Sequence, residues 1–376
     1  MNANSTVQKK EYFHELYEDR AVIDIQSTLS YVERDDSLGY ARNYFYYVFD
    51  YDYYSDDDLL YSGETGRYGD FATGLINNYD EDEDGNDPLL DIYITWEADN
   101  PYLEQKIADT NRVSYSWQIA VQHNVSNGTL FMDHHVSTSD SQRPAMWIYE
   151  DMLRAFEHWM KNAGFNPGAV TAVWEYEVYS YNGCGSACFF PGNDPRIFIP
   201  DDRTRSKDTV VHEVAHNYMW NMVQWVGGCP SPHNMFIESN VVCAWSEGWA
   251  EFLPLIVNGD QCYDWDWGPC NGTYYDLEAH NLDDNPDIYN FGDAVEGRVA
   301  GALCDLVDEN NEIYDKTSLE FDDIAYLLAY SPLEENFSDF WESWLNEGYD
   351  HFNDLVSSFY LNTIGGGFIY IPTVTK

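Results

Sequence analysis

The chain has 376 residues, enough for about two domains, and 44% hydrophobic side chains, enough for sizeable cores. Acidic residues outnumber basic ones 66 to 18, for a formal net charge of −48. A surface of that sign repels nucleic acid and anionic membranes, so neither is expected as a partner.

Residues 20 to about 130 carry short alternating runs, YARNYFYYVF, LLDIYITW and VSYSWQIAV, separated by clusters of Asp, Gly and Asn. This period of two predicts an antiparallel β-sandwich over residues 1–135. Within it, Asp80, Asp82 and Asp84 stand at alternate positions before Gly85, with Asp91 in the twelfth place. Oxygens so spaced resemble the start of a calcium loop, and a solvated acidic turn is the competing reading.

A polar link, VSTSDSQRP, ends this region and opens a second domain over residues 144–376. Its first helix, AMWIYEDMLRAFEHWMKNAGF, aligns Ile148, Met152, Phe156 and Trp159 on one stripe and stops near Gly164 and Pro167. AVTAVWEYEVYSY and PRIFIP read as strands, and RIFIP is a candidate edge for pairing with an extended peptide. Helices follow: one bearing VVHEVAHNYMW, then AWSEGWAEFLPLI, then GDAVEGRVAGALCDLV, with more to about Phe359. The fold class is therefore α+β, with a mainly helical C-terminal part.

Seven cysteines lie between Cys184 and Cys304. The close pairs Cys184 with Cys188, Cys229 with Cys243, and Cys262 with Cys270 sit in loop-like sequence and read as disulfides of an exported protein. Cys304, in an apolar run, reads as a buried thiol outside them. A structural zinc site is disfavoured, because no CxxC pair occurs. No apolar stretch of membrane-spanning length occurs, so no membrane span is expected, and the cysteine pairs alone point to a secreted or cell-surface location.

On a helix, His212 and His216 face the same way and can share one ion, while Glu213 stands beside them as a base for water. Val210, Val211, Val214 and Ala215 frame the histidines in apolar residues, where imidazoles need partners. A catalytic zinc needs a third ligand, and Glu247, thirty-one residues after His216, is the candidate. Glu251 lies one turn later and could accept the free ring N–H of a ligand histidine. His233 is a weaker ligand candidate in a Pro-flanked loop, and His134 and His135 read as surface residues.

HEVAH followed by WSEGWAEF resembles the gluzincin metallopeptidases, the thermolysin-like and aminopeptidase N-like enzymes. The resemblance implies a zincin-like domain in which His212, His216 and Glu247 hold Zn2+, Glu213 is the general base and Glu251 the supporting carboxylate. Ser246 stands where those families carry Asn, and the spacer to Glu247 is longer. They draw an oxyanion donor from the region after the third ligand. His280, Tyr289 and Arg298 are candidates there, with Tyr289 preferred. DDDLLYSGETGRYGDFATGLIN loosely resembles transthyretin-like or carboxypeptidase-regulatory β-sandwich modules. The metzincin pattern is excluded, since HEVAHNYMWNM lacks its Gly and third His.

The expectation is thus a secreted zinc endopeptidase acting on peptide or protein substrates, since no N-terminus-reading GxMEN motif is present. The alternative is a catalytically silent cell-surface protein that binds glycans or proteins, suggested by 31 Tyr and 13 Trp.

Overall fold

The structure, a computed structural model, describes residues 21–364 apart from 54, 81–88, 226, 267, 269, 271–273, 278–289, 308–320, 332–334, 349–355, 357, 358, 360, 361 and 363. Its first strands are β1 (Val22–Val32), β2 (Leu38–Tyr40), β3 (Phe45–Asp50), β4 (Asp58–Glu64), β5 (Asp70–Asn77) and β6 (Ile92–Glu97). Next come β7 (Asp99–Asn100), β8 (Gln105–Ala108), β9 (Ser116–Gln118), β10 (Gly128–Phe131) and β11 (His134–Val136). Helix α1 (Arg143–Asn162) precedes β12 (Val170–Val173), β13 (Cys188–Phe190) and β14 (Arg196–Phe198). Then follow α2 (Lys207–Val223), α3 (Val241–Asn258), β15 (Cys262–Asp264), β16 (Tyr274–Asp276), α4 (Glu296–Val307), α5 (Phe321–Tyr330) and α6 (Phe337–Glu347).

The chain forms two compact units. The first runs to Tyr102 and resumes over Ser114–Met146; the second takes Leu103–Val113 and everything described from Trp147 on. The simple cut near residues 136–144 expected from composition therefore misses a segment. Leu103–Val113 belongs to the second unit because its β8 pairs in parallel with β12.

In the first unit, β1 alternates as its sequence demands, burying Ile23, Ile25, Leu29 and Tyr31 on one face. One sheet, β4-β3-β6-β9, is antiparallel throughout. The other is not, which corrects the expectation of an all-antiparallel region. β1 pairs antiparallel with β2 and β5 but parallel with β10 and β11. The chain builds the whole second sheet before returning to β1, so it arrives by a crossover and not by a hairpin.

In the second unit, β13-β14-β12-β8 stand side by side. β14 has a neighbour on each side, parallel β12 and antiparallel β13, so RIFIP is not the edge that the sequence suggested. The chain doubles back through the Cys184–Cys188 disulfide, and Cys188–Phe190 takes the edge instead.

Helix α2 packs between this sheet and α3, and α3 packs against α4. The expected stripe of α1, Ile148, Met152, Phe156 and Trp159, is buried. Trp159 meets Tyr218 of α2, Trp249 of α3 and Phe321 of α5 edge-to-face, with ring centroids 5.3, 6.1 and 5.2 Å apart. Such contacts lock four helices together through large rings that prefer this T-shaped geometry. Tyr218 is two residues past His216, about 200° around the helix, so this cluster buries the face of α2 opposite the histidines.

Candidate metal centre

Helix α2 begins at a defined cap. Ser206 Oγ accepts the Thr209 N–H at 3.0 Å and donates to the Asp264 carbonyl at 2.6 Å. Asp208 accepts the Asp264 N–H at 2.6 Å, so the start of α2 is tied to β15 from both directions. Val210, Val211, Val214 and Ala215 are fully buried. This frame leaves His212 and His216 one turn apart on the side facing α3.

There they meet Glu247. His212 Nε2 lies 3.2 Å from His216 Nε2, and Glu247 Oε2 lies 3.2 and 3.3 Å from the two nitrogens. Three donors each about 2.0–2.1 Å from one tetrahedral ion stand roughly 3.3 Å apart, so the triangle has the size that zinc demands. The chemistry fits too, with two imidazole nitrogens and a carboxylate oxygen, all largely buried. Two polar atoms beside the triangle, His212 Nδ1 and Glu213 Oε2, are buried without hydrogen-bond partners.

The electrostatics follow from burial and from these neighbours. Burial and the two histidines act oppositely on Glu247, and the histidines win, holding it well below the usual carboxylate range. Burial lowers His212; Glu247 opposes this, and the His216 charge adds to the lowering. Burial opposes charge on His216 as well, but there the pull of Glu247 prevails and its pKa is raised. Burial lifts Glu213 to about 8, with His216 pulling it down and Glu247 pushing it up. A divalent cation at the triangle would draw that carboxyl back toward its ionised form.

Glu251 is buried one turn beyond Glu247 but makes no hydrogen bond to either histidine. The charged neighbours that raise its pKa, after burial itself, are Glu296 and Glu247. The expected bond from a ligand imidazole to Glu251 is therefore not made here, and Glu251 Oε2 is buried without a hydrogen-bond partner. Glu296, only 2% exposed, receives His233 Nδ1 at 3.0 Å. Sequence reading missed this pairing, since nothing in GDAVEGR marks Glu296 as a partner for a loop histidine.

The centre opens into a cleft of about 680 Å³. Its lining includes His212, Glu213, His216, Glu247, Glu251 and His233, with Cys188 and Phe189 of the β13 edge on one wall. Tyr263, whose ring centroid is 6.0 Å from that of His212, and Trp265 form another wall. Cys229 Sγ lies 3.4 Å from Glu247 Oε1, and the Cys229–Cys243 disulfide closes the loop that carries His233. All three expected disulfides are present, and Cys304 is buried outside them.

Other candidates fall elsewhere. Tyr289 and His280 lie outside the described residues, as do Asp82 and Asp84. Arg298 is fully buried in α4, where its Nε donates to the Asn290 carbonyl, and it does not line the cleft. Asp80 is buried in the first unit near Asp50, whose pKa rises to about 7 through burial and the neighbouring carboxylates of Asp80, Asp52 and Asp91, against the Asp91 N–H. Asp91, the twelfth loop position, already accepts from the Asn124 N–H and from His123. His135 Nδ1 lies 3.0 Å from Ser30 Oγ in the first unit.

The model of the mycolysin C-terminal domain matches residues 156–354, more than half of the chain. The chain belongs to the mycolysin C-terminal domain family. This is a domain of thermolysin-like peptidases, so the family supports a metallopeptidase and implies zinc and peptide substrates. The mycolysin match spans every residue of the triangle together with Glu213, His233, Glu251 and Glu296. No curated protein matches. Among solved structures, a 9R-lipoxygenase from Cyanothece PCC8801 matches at 11% identity over 44% of this chain and 30% of its own, with a TM-score of 0.22. That likeness is too slight to bear on fold or function.

Proposed function

We propose that this chain is a secreted zinc endopeptidase in which His212, His216 and Glu247 hold the metal and Glu213 is the general base. The observation that carries this reading is the buried triangle of ligand atoms, 3.2–3.3 Å on a side, with Glu213 adjacent and an open cleft in front. Bound zinc would supply Lewis acidity, polarising the substrate carbonyl and the attacking water.

The residues of the chain do the rest. Glu213 takes a proton from water as the water oxygen bonds to the carbonyl carbon and the carbonyl π pair moves onto oxygen. The C–N bond then breaks, its electron pair passes to nitrogen, and Glu213 returns the proton there as the carbonyl re-forms. The β13 edge at Cys188–Phe190 supports an extended substrate alongside the cleft by strand addition.

Three disulfides support an extracellular location, and no helix among the described residues is long and apolar enough to cross a membrane. The test is hydrolysis of a denatured protein by the zinc-loaded chain, with Glu213→Gln as control. The wild type should cleave and the variant should lose activity while keeping zinc. Equal cleavage by both would exclude the assigned base. If neither cleaves anything, the silent binding protein becomes the better reading.

A further inference from the structure

We propose that His233 is a further catalytic residue, donating its Nε2 hydrogen to the oxygen of the scissile carbonyl as negative charge develops there. This rests on the peptidase reading above and assigns the oxyanion donor that reading lacks. His233 precedes Glu247 in the chain, outside the stretch after the third ligand from which the resembled enzymes draw this donor.

Three observations converge on it. His233 lines the same cleft as His212, Glu213, His216 and Glu247, and its side chain is 36% exposed, so it is accessible to a substrate. Its Nδ1 is committed to Glu296 Oε1 at 3.0 Å, and Glu296 is buried at the start of α4. One ring nitrogen held by a buried carboxylate fixes the plane of the imidazole and leaves the opposite nitrogen for the cleft. The loop itself is stapled, since Cys229–Cys243 ties it to the first turn of α3, the helix that carries Glu247.

An imidazole that donates from both nitrogens is the cation, and its surroundings favour that form. The buried Glu296 carboxylate at Nδ1 favours it, because a charge-assisted bond there stabilises the protonated ring. A donor that bonds the carbonyl oxygen most strongly once charge has developed on it acts on the transition state more than on the bound substrate. A merely structural pair would instead stabilise the loop without distinguishing the two.

The experiment uses the full zinc-loaded chain and an internally quenched peptide. His233→Ala should lower kcat by ~100-fold, the usual loss for one oxyanion donor. KM should stay within about threefold, since ground-state binding is untouched. Zinc content and Tm should remain near wild type. Affinity for a phosphinic peptide that mimics the tetrahedral species should fall in step with kcat/KM. His233→Gln, which keeps a neutral donor and guards against misfolding of the alanine variant, should recover part of the rate, and Glu296→Gln should fall between. Wild-type kcat in His233→Ala, or loss of zinc and stability with unchanged selectivity for the phosphinic peptide, overturns the proposal. An active wild type with an unaffected His233→Ala overturns this assignment alone, whereas a wild type that hydrolyses nothing overturns the peptidase reading with it.

Discussion

The indole Nε1 of Trp249 donates to the backbone carbonyl of Ala215 at 3.3 Å. Ala215 immediately precedes His216, and Trp249 follows Glu247 by two residues. The bond thus joins α2 to α3 between the ligands that each contributes. Trp249→Phe keeps most of the buried ring but removes this donor. We expect a loss of roughly 2 kcal/mol in stability, from one hydrogen bond and a small cavity. Zinc affinity should fall as well, because the registry of the helices sets the triangle. Urea unfolding and zinc titration read both effects, and a variant with unchanged zinc affinity would show that the two helices are held in register by other contacts.

Gly248 sets the approach of α3 to α4. A Cβ there would meet Val299 Cβ at 2.6 Å and the Glu296 carbonyl oxygen at 2.8 Å, distances at which something must move. The backbone carbonyl cannot swing aside as a side chain can. Gly248→Ala should therefore cost about 1–3 kcal/mol as an overpacked contact, despite the better helix propensity of alanine. The shift should also part His233 from Glu296 and displace Glu247. A denaturant midpoint equal to or above wild type would contradict this packing.

Asp208 makes stability depend on pH. Burial lifts its pKa to about 7; the Asp264 N–H and the Asn258 amide oppose the rise, and the charges of Asp260 and Asp264 add to it. A folded-state pKa above the unfolded value means that the native state binds the proton more tightly. Its contribution is complete below about pH 4 and is lost as pH rises through about 7. Comparing urea midpoints at pH 4.5 and 7.5 should show a larger drop for wild type than for Asp208→Asn. Parallel drops would mean that Asp208 ionises in the folded protein as it does in the unfolded chain.

Much of the site geometry was legible in residues 210–251. Two histidines four apart in an apolar helix must face one neighbour, and WSEGWAEF offers the only nearby glutamates on a second apolar helix. The pairing of His233 with Glu296 was not legible, because it arises where α4 closes on α3 at Gly248, a contact sixty-three residues long-range in sequence. Glu251 shows the same limit: helical spacing put it one turn from Glu247, but not that its carboxyl would be left without a bond to either histidine. PRIFIP read correctly as a strand, yet periodicity carries no information on which strands flank it. The parallel returns of β10 and β11 to β1 were hidden for the same reason.

The central claim is that one zinc ion sits between His212, His216 and Glu247. An anomalous difference map recorded at the zinc absorption edge, on crystals of the zinc-loaded protein, tests it directly. The account predicts one strong peak among the two Nε2 atoms and the Glu247 carboxylate. A peak instead at the neighbouring group of Cys229, His233, Cys243 and Glu296, or no peak at the triangle, would contradict it.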